Sequence, residues 1–176
     1  MADQCDSGAA ADGAATTVVQ LQTLAANMAV SPQADMMELD DDIHAQIEAL
    51  SAKGDDLAEA GDFTSALERY WAAWGLLPEP QPQWEAATWL LAAIGDTNFQ
   101  AGDFEAGRDN LASAMHCPDA IGNPFLHLRL GQCQLELGDE ERAADELARA
   151  YLLDPEIFED EDPKYGDFVQ TQLLDT

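Results

Sequence analysis

Ala60-Gly61-Asp62-Phe63, Ala101-Gly102-Asp103-Phe104 and Leu137-Gly138-Asp139-Glu140 are one phrase written three times. Each is a Gly-Asp turn followed by an amphipathic run. A glycine at a helix end supplies the left-handed residue that closes the helix. An aspartate directly after it caps the next helix, because its carboxylate accepts from the unpaired N–H groups of the first turn. The phrase therefore reads as the corner of a helical hairpin, and the chain has three such corners.

Working outward, each corner has a second glycine seven residues upstream: Gly54, Gly95 and Gly131. Glycine inside a helix costs about 1 kcal/mol against alanine. It marks the place where the two helices of a pair approach closely. Ala66, Ala143 and Ala150 are expected at the same contacts. Pro-rich or loop-like stretches separate the pairs, at Pro78-Glu79-Pro80-Gln81-Pro82-Gln83 and around Cys117-Pro118-Asp119-Ala120-Ile121-Gly122-Asn123-Pro124. The helix after the first of these is expected to start at Trp84.

Around these corners the sequence resembles the tetratricopeptide repeat, whose signature combines Leu-Gly, an aromatic, Ala, Phe or Tyr, Ala and Pro. The first repeat matches at Leu50, Gly54, Leu57, Gly61, Ala66, Tyr70, Ala73 and Pro78. The second matches at Leu91, Ile94, Gly95, Gly102, Leu111 and Ala114, with Gly107 where Ala is usual. The third matches at Leu130, Gly131, Gly138, Ala143, Leu147, Ala150 and Pro155. Corner-to-corner spacings of 41 and 36 residues exceed the family's 34, and the excess falls in the two loops.

The resemblance implies an all-α fold, a right-handed superhelix of about three helix pairs. Its repeats would run over about 47–80, 88–121 and 124–157, within a domain at 43–176. A C-terminal cap over 158–176, with a short helix at 168–174, would cover the last pair. Residues 1–42 read as a flexible acidic extension. Its first 15 residues are rich in Ala, Gly and Asp, and Val18, Leu21, Leu24, Ala25 and Met28 give helical spacing over 16–29.

The chain carries 35 Asp and Glu against 7 Lys and Arg, a formal charge of −28. Such a surface repels nucleic acid and anionic lipid and attracts basic proteins, although solubility alone is a standing alternative. Cys5, Cys117 and Cys133 form no CxxC, disulfide framework or zinc set, so free thiols in a reducing cytoplasm are expected. No cationic leader precedes Lys53, and no apolar run approaches the ~18 residues a membrane span needs. His44, His116 and His127 pair with no nucleophile in a known motif, and the acidic run 154–162 lacks the glycine and spacing of a calcium loop. No catalytic residue, metal site or cofactor is expected.

In the tetratricopeptide family the first helix of each pair lines a concave groove. That geometry implies a groove holding Glu48, Ser51, Asp55 and Glu59 from the first pair, and Trp89, Ala92, Asp96, Phe99 and Gln100 from the second. The third would add Phe125, Leu128, Gln132, Leu135 and Glu136. Chaperone-docking members clamp a terminal carboxylate with Lys and Asn. Ser51 and Asp55 occupy those places here, so the ligand itself would bring the opposite charge. The expected contacts to a basic protein partner are Asp55, Glu59, Trp89, Asp96, Phe99, Phe125, Gln132 and Glu136. Of the tryptophans Trp71, Trp74, Trp84 and Trp89, clustered at the first junction, Trp84 and Trp89 are expected to be partly exposed.

Longer phrases, among them Trp84-Glu85-Ala86-Ala87-Thr88-Trp89 and Gly122-Asn123-Pro124-Phe125-Leu126-His127-Leu128-Arg129-Leu130-Gly131, resemble a group of small bacterial tetratricopeptide proteins. The resemblance covers about 41–168. Members of the group are often encoded beside polymorphic toxins, which implies an immunity role. The alternative is a general adaptor or a chaperone-like factor.

Overall fold

The computed structural model describes residues 39–174. The helix expected over 16–29 and the thiol of Cys5 lie outside the described residues. Seven α-helices follow one another: α1 (Asp41–Glu59), α2 (Phe63–Trp74), α3 (Glu85–Gln100), α4 (Phe104–Ala114), α5 (Pro124–Glu136), α6 (Glu140–Leu153) and α7 (Pro163–Leu174). Two 3₁₀ turns, Gln81–Gln83 and Pro155–Phe158, complete the described residues, which contain no strand.

The corners form as their sequence demands. Gly61, Gly102 and Gly138 have φ of 80°, 78° and 79°, the left-handed region that a side chain resists. Asp62, Asp103 and Asp139 then cap α2, α4 and α6 by accepting from the amides of Ser65, Ala106 and Arg142. Two helices joined by so short a turn must lie antiparallel, which makes three hairpins: α1/α2, α3/α4 and α5/α6.

The upstream glycines set the spacing inside each hairpin. A Cβ at Gly54 would collide with the Tyr70 ring, one at Gly95 with Leu111 and one at Gly131 with Leu147, each closer than 3.0 Å. The same offset of sixteen residues recurs in all three pairs, so every hairpin seats one large side chain on one bare stretch of backbone. Ala66, Ala143 and Ala150 are fully buried beside these contacts. Gly107 follows the same logic between hairpins, since a Cβ there would press on the Cys133 sulfur.

The hairpins stack in chain order. One buried cluster runs from Ile47 through Tyr70, Leu90, Ile94 and Leu111 to Leu126 and Cys133. A second joins Leu128, Ala143, Leu147 and Ala150 to Val169 of α7, so α7 covers the last hairpin. It begins at Pro163, ahead of the stretch expected from the sequence.

Both long loops are pinned. Trp84 caps α3 with only 7 % of its surface exposed, because its indole N–H donates to the Pro78 carbonyl at 2.7 Å and folds the Pro-rich loop back on it. It is therefore core, not a partly exposed side chain; Trp71, at 43 %, takes that place, while Trp89 is 38 % exposed. In the second loop the Thr88 hydroxyl donates to the Pro118 carbonyl at 2.7 Å.

Candidate functional site

The α1, α3 and α5 residues expected in a groove fall into two environments. At the first hairpin Asp55 and Glu59 are exposed. Asp55 accepts the Tyr70 hydroxyl at 2.6 Å. Tyr70 reaches it because its ring lies over Gly54, one residue earlier on the same helix. Burial, then the bond to Asp55, pushes the phenol far above its ordinary value, so it stays a donor. Trp89, on α3, is exposed without a ring partner among the described residues.

At the third hairpin the environment is closed. Arg129 of α5 is the hub. Its Nε lies 2.7 Å from Asp96 of α3, as an ion pair off the hydrogen-bond axis. Its Nη1 donates to Gln132 at 2.7 Å and to Glu161 at 3.1 Å. Gln132 donates in turn to the same Glu161 oxygen at 2.8 Å. The guanidinium stands 4.6 Å from the centre of the Phe99 ring and 5.3 Å from that of Phe125. A delocalised, weakly hydrated cation suits such a place, where aromatic faces replace part of its solvation.

The segment 159–165, whose last three residues open α7, covers these side chains. Besides Glu161, it brings Tyr165, whose ring lies 6.5 Å from Phe99 and whose hydroxyl donates to Glu136 at 2.6 Å. Lys164 pairs with the same Glu136 carboxylate. Hydrogen bonds from Lys164 and then Tyr165 hold that carboxyl below its usual value. Burial and then Glu136 push the Tyr165 phenol up.

The structure thus brings Asp96, Phe99, Phe125, Gln132 and Glu136 together, around Arg129 and beneath 159–165. It leaves Asp55, Glu59 and Trp89 exposed outside that network. Opposite charge at this end comes from the chain itself, through Arg129 and Lys164, and not from a ligand alone. Leu128 points into the hairpin core with 1 % exposure rather than into a groove. The sequence reading missed Arg129, Glu161 and Tyr165. A signal existed in the phrase that holds Arg129: the one cation of α5 sits three residues before Gln132, hence on the same face.

His127 is buried and held at both ring nitrogens, by Glu146 at 2.6 Å and by the Ile121 carbonyl at 2.8 Å. It anchors the second loop. Cys117 and Cys133 are free and buried, and burial raises the Cys133 thiol to about 12. Among the described residues no group of three His, Cys, Asp or Glu is placed to hold a metal, and no helix is long and apolar enough to cross a membrane.

No sequence-family model matches the chain, and no curated protein does. Solved structures do. The Arabidopsis OM64 tetratricopeptide domain aligns with a TM-score of 0.59 and 16 % identity, over 76 % of this chain and 99 % of that one. The second tetratricopeptide domain of human RPAP3, solved with the HSP70 peptide SGPTIEEVD, gives 0.58 and 15 %, over 74 % and 97 %. The Yersinia enterocolitica type III secretion chaperone SycD, solved with a peptide of the translocator YopD, gives 0.57 and 14 %, over 73 % and 92 %. The fold is that of tetratricopeptide domains.

Proposed function

We propose that this protein is a non-enzymatic binding scaffold whose acidic first-hairpin face captures a basic protein segment. The observation that carries the reading is how the charge is spent. Five of the seven Lys and Arg are taken up in ion pairs with the chain's own carboxylates, at Arg108, Arg129, Arg142, Arg149 and Lys164. The carboxylates left over outnumber any local counter-charge, and Asp55 and Glu59 stand exposed among them. An uncompensated field of this size speeds encounter with a cation-rich partner. Exposed Trp89 offers an apolar anchor of the kind that dominates interface energies.

Within this reading, a basic toxin attacking nucleic acid in the cytoplasm is one partner that fits, and an acidic protein that covers its substrate channel would act as its immunity factor. A second reading, a chaperone that holds a client segment, draws support from the likeness to SycD, which was solved with a translocator peptide.

Affinity capture from the native host with the full chain, followed by binding kinetics on the purified partner, tests the proposal. The partner should be basic. Asp55→Asn with Glu59→Gln should slow association and flatten its salt dependence. Trp89→Ala should weaken binding by about 2 kcal/mol, with the melting curve showing the variant still fully folded at the assay temperature. An acidic partner, or one that binds the double carboxylate variant as fast as the parent, would sink the idea.

A further inference from the structure

The segment 159–165 meets the groove beneath it group for group. Its carboxylate, Glu161, sits on Arg129 and Gln132. Its amine, Lys164, sits on Glu136. Its ring, Tyr165, faces Phe99. The receiving side is built in advance: Gln132 is fully buried, Arg129 is 9 % exposed, and two aromatic rings hold the guanidinium in place. A buried arginine and carboxamide that converge on one carboxylate oxygen form an anion receptor, and here the chain fills it with its own side chain.

The segment is also attached in a way that permits release. Its backbone hydrogen bonds close locally, Glu161 N–H to the Phe158 carbonyl and Tyr165 N–H to the Asp162 carbonyl. Side chains make the contacts to α5. Phe158 packs on Tyr151 on one side and Val169 is buried in the core on the other, so both ends stay tethered. Next to Tyr165 stands Gly166, which weakens the first turn of α7 and has open space where a Cβ would be. A short stretch between two fixed ends, held by Glu161, Lys164 and the buried Tyr165 ring, can open as a local unit at the cost of the first turn of α7.

We propose that 159–165 is a ligand held in cis. It fills the Phe99–Arg129–Phe125 half of the groove, and a partner segment with the same chemistry displaces it: a carboxylate, then an amine and an aromatic ring three and four positions on. Lifting the segment strips Glu136 of Lys164 and Arg129 of Glu161. Arg129 keeps Asp96, so an incoming segment recovers the lost contacts by bringing an amine to Glu136 and a second carboxylate to Arg129 and Gln132, which sets its pattern. The closed form lowers the apparent affinity by the fraction of chains that are open. The inference rests on the groove being the binding face and adds its regulation and the pattern of its partner.

The test uses the full chain with Glu161→Ala and Lys164→Ala, which removes the polar anchors and keeps Tyr165 and Val169. The probe is a labelled peptide of the chain's own residues 158–168, with a scrambled peptide as control. Amide exchange at 159–165 should rise by about tenfold or more while α5 and α6 stay protected. The peptide should bind the double variant about tenfold or more tightly than it binds the parent, and the scramble should bind neither. Three outcomes overturn the proposal: no peptide binding although exchange reports the segment open, exchange at 159–165 unchanged, or protection lost throughout α5 and α6. The last would make the segment part of the domain's frame. No partner enters this test, so peptide binding stands even if no basic protein is found at Asp55 and Glu59, and its failure leaves that reading intact.

Discussion

Tyr70 and Tyr165 each donate a hydroxyl to a carboxylate at 2.6 Å, one near each end of the described array. Asp55, which receives the first, remains exposed and meets no cation within ion-pair distance among the described residues. Glu136, which receives the second, is also paired with Lys164 and lies under the chain's own return segment. The hairpins around them are alike, down to a glycine at the same offset from a large side chain. One end therefore presents its charge outward, and the other spends its charge inward. The repeat supplies the frame; what the frame does at each end depends on a few side chains that the repeat does not specify.

Removing the hub should break the contrast most severely. Arg129→Met leaves Asp96 and Glu161 facing each other's field without their cation, in side chains only about a fifth exposed. Losing one partner of a largely buried ion pair costs about 3–5 kcal/mol, and urea midpoints should register the lower part of that range because some solvent reaches the carboxylates. Asp55→Asn at the open end should stay within about 0.5 kcal/mol, since the amide oxygen still accepts from Tyr70. Comparable losses at both sites would erase the distinction between an outward and an inward end.

A smaller effect should separate the glycines. Gly131→Ala drives a Cβ toward the fully buried Leu147, whose backbone nitrogen is among the three nearest atoms and cannot swing aside, whereas the three atoms nearest a Cβ at Gly54 all belong to the Tyr70 side chain, which can tilt. Overpacking costs about 1–3 kcal/mol, and Gly131→Ala should fall above Gly54→Ala within that range in denaturant unfolding. The reverse order would mean that the third hairpin yields more readily than the first, against the closed packing drawn for it.

The smallest difference lies between the tyrosines themselves. Tyr165→Phe should cost about 1 kcal/mol or more, because Glu136 loses one of the two donors it depends on. Tyr70→Phe should cost less, since exposed Asp55 turns to water instead. Melting curves of the two variants, taken side by side, give the sign; equal shifts would contradict the difference in burial.

The corners, the close-approach glycines and the capping aspartates were legible in the sequence because each is a local demand repeated in phase. Gly61, Gly102 and Gly138 need no knowledge of the rest of the chain to be recognised as left-handed. The burial of Ala66, Ala143 and Ala150 follows from the same register. The candidate groove was legible only where it depends on one helix. Asp55 and Glu59 follow α1 outward, but Arg129 meets Glu161 across thirty-two residues, from outside the last repeat. No periodicity reaches that far. Trp84 shows the same limit on a smaller scale: a Pro-rich loop suggested exposure, and one indole hydrogen bond to Pro78 reversed it.

Cys133 turns the seam between the second and third hairpins into a clock. Its sulfur is sealed against Gly107 with no exposed surface, and its thiol is held far from the ionised form that reacts. An alkylating reagent can reach it only in the instants when α4 and α5 part. Its labelling rate in native buffer therefore counts separations of neighbouring hairpins, a breathing of the array that equilibrium melting averages away.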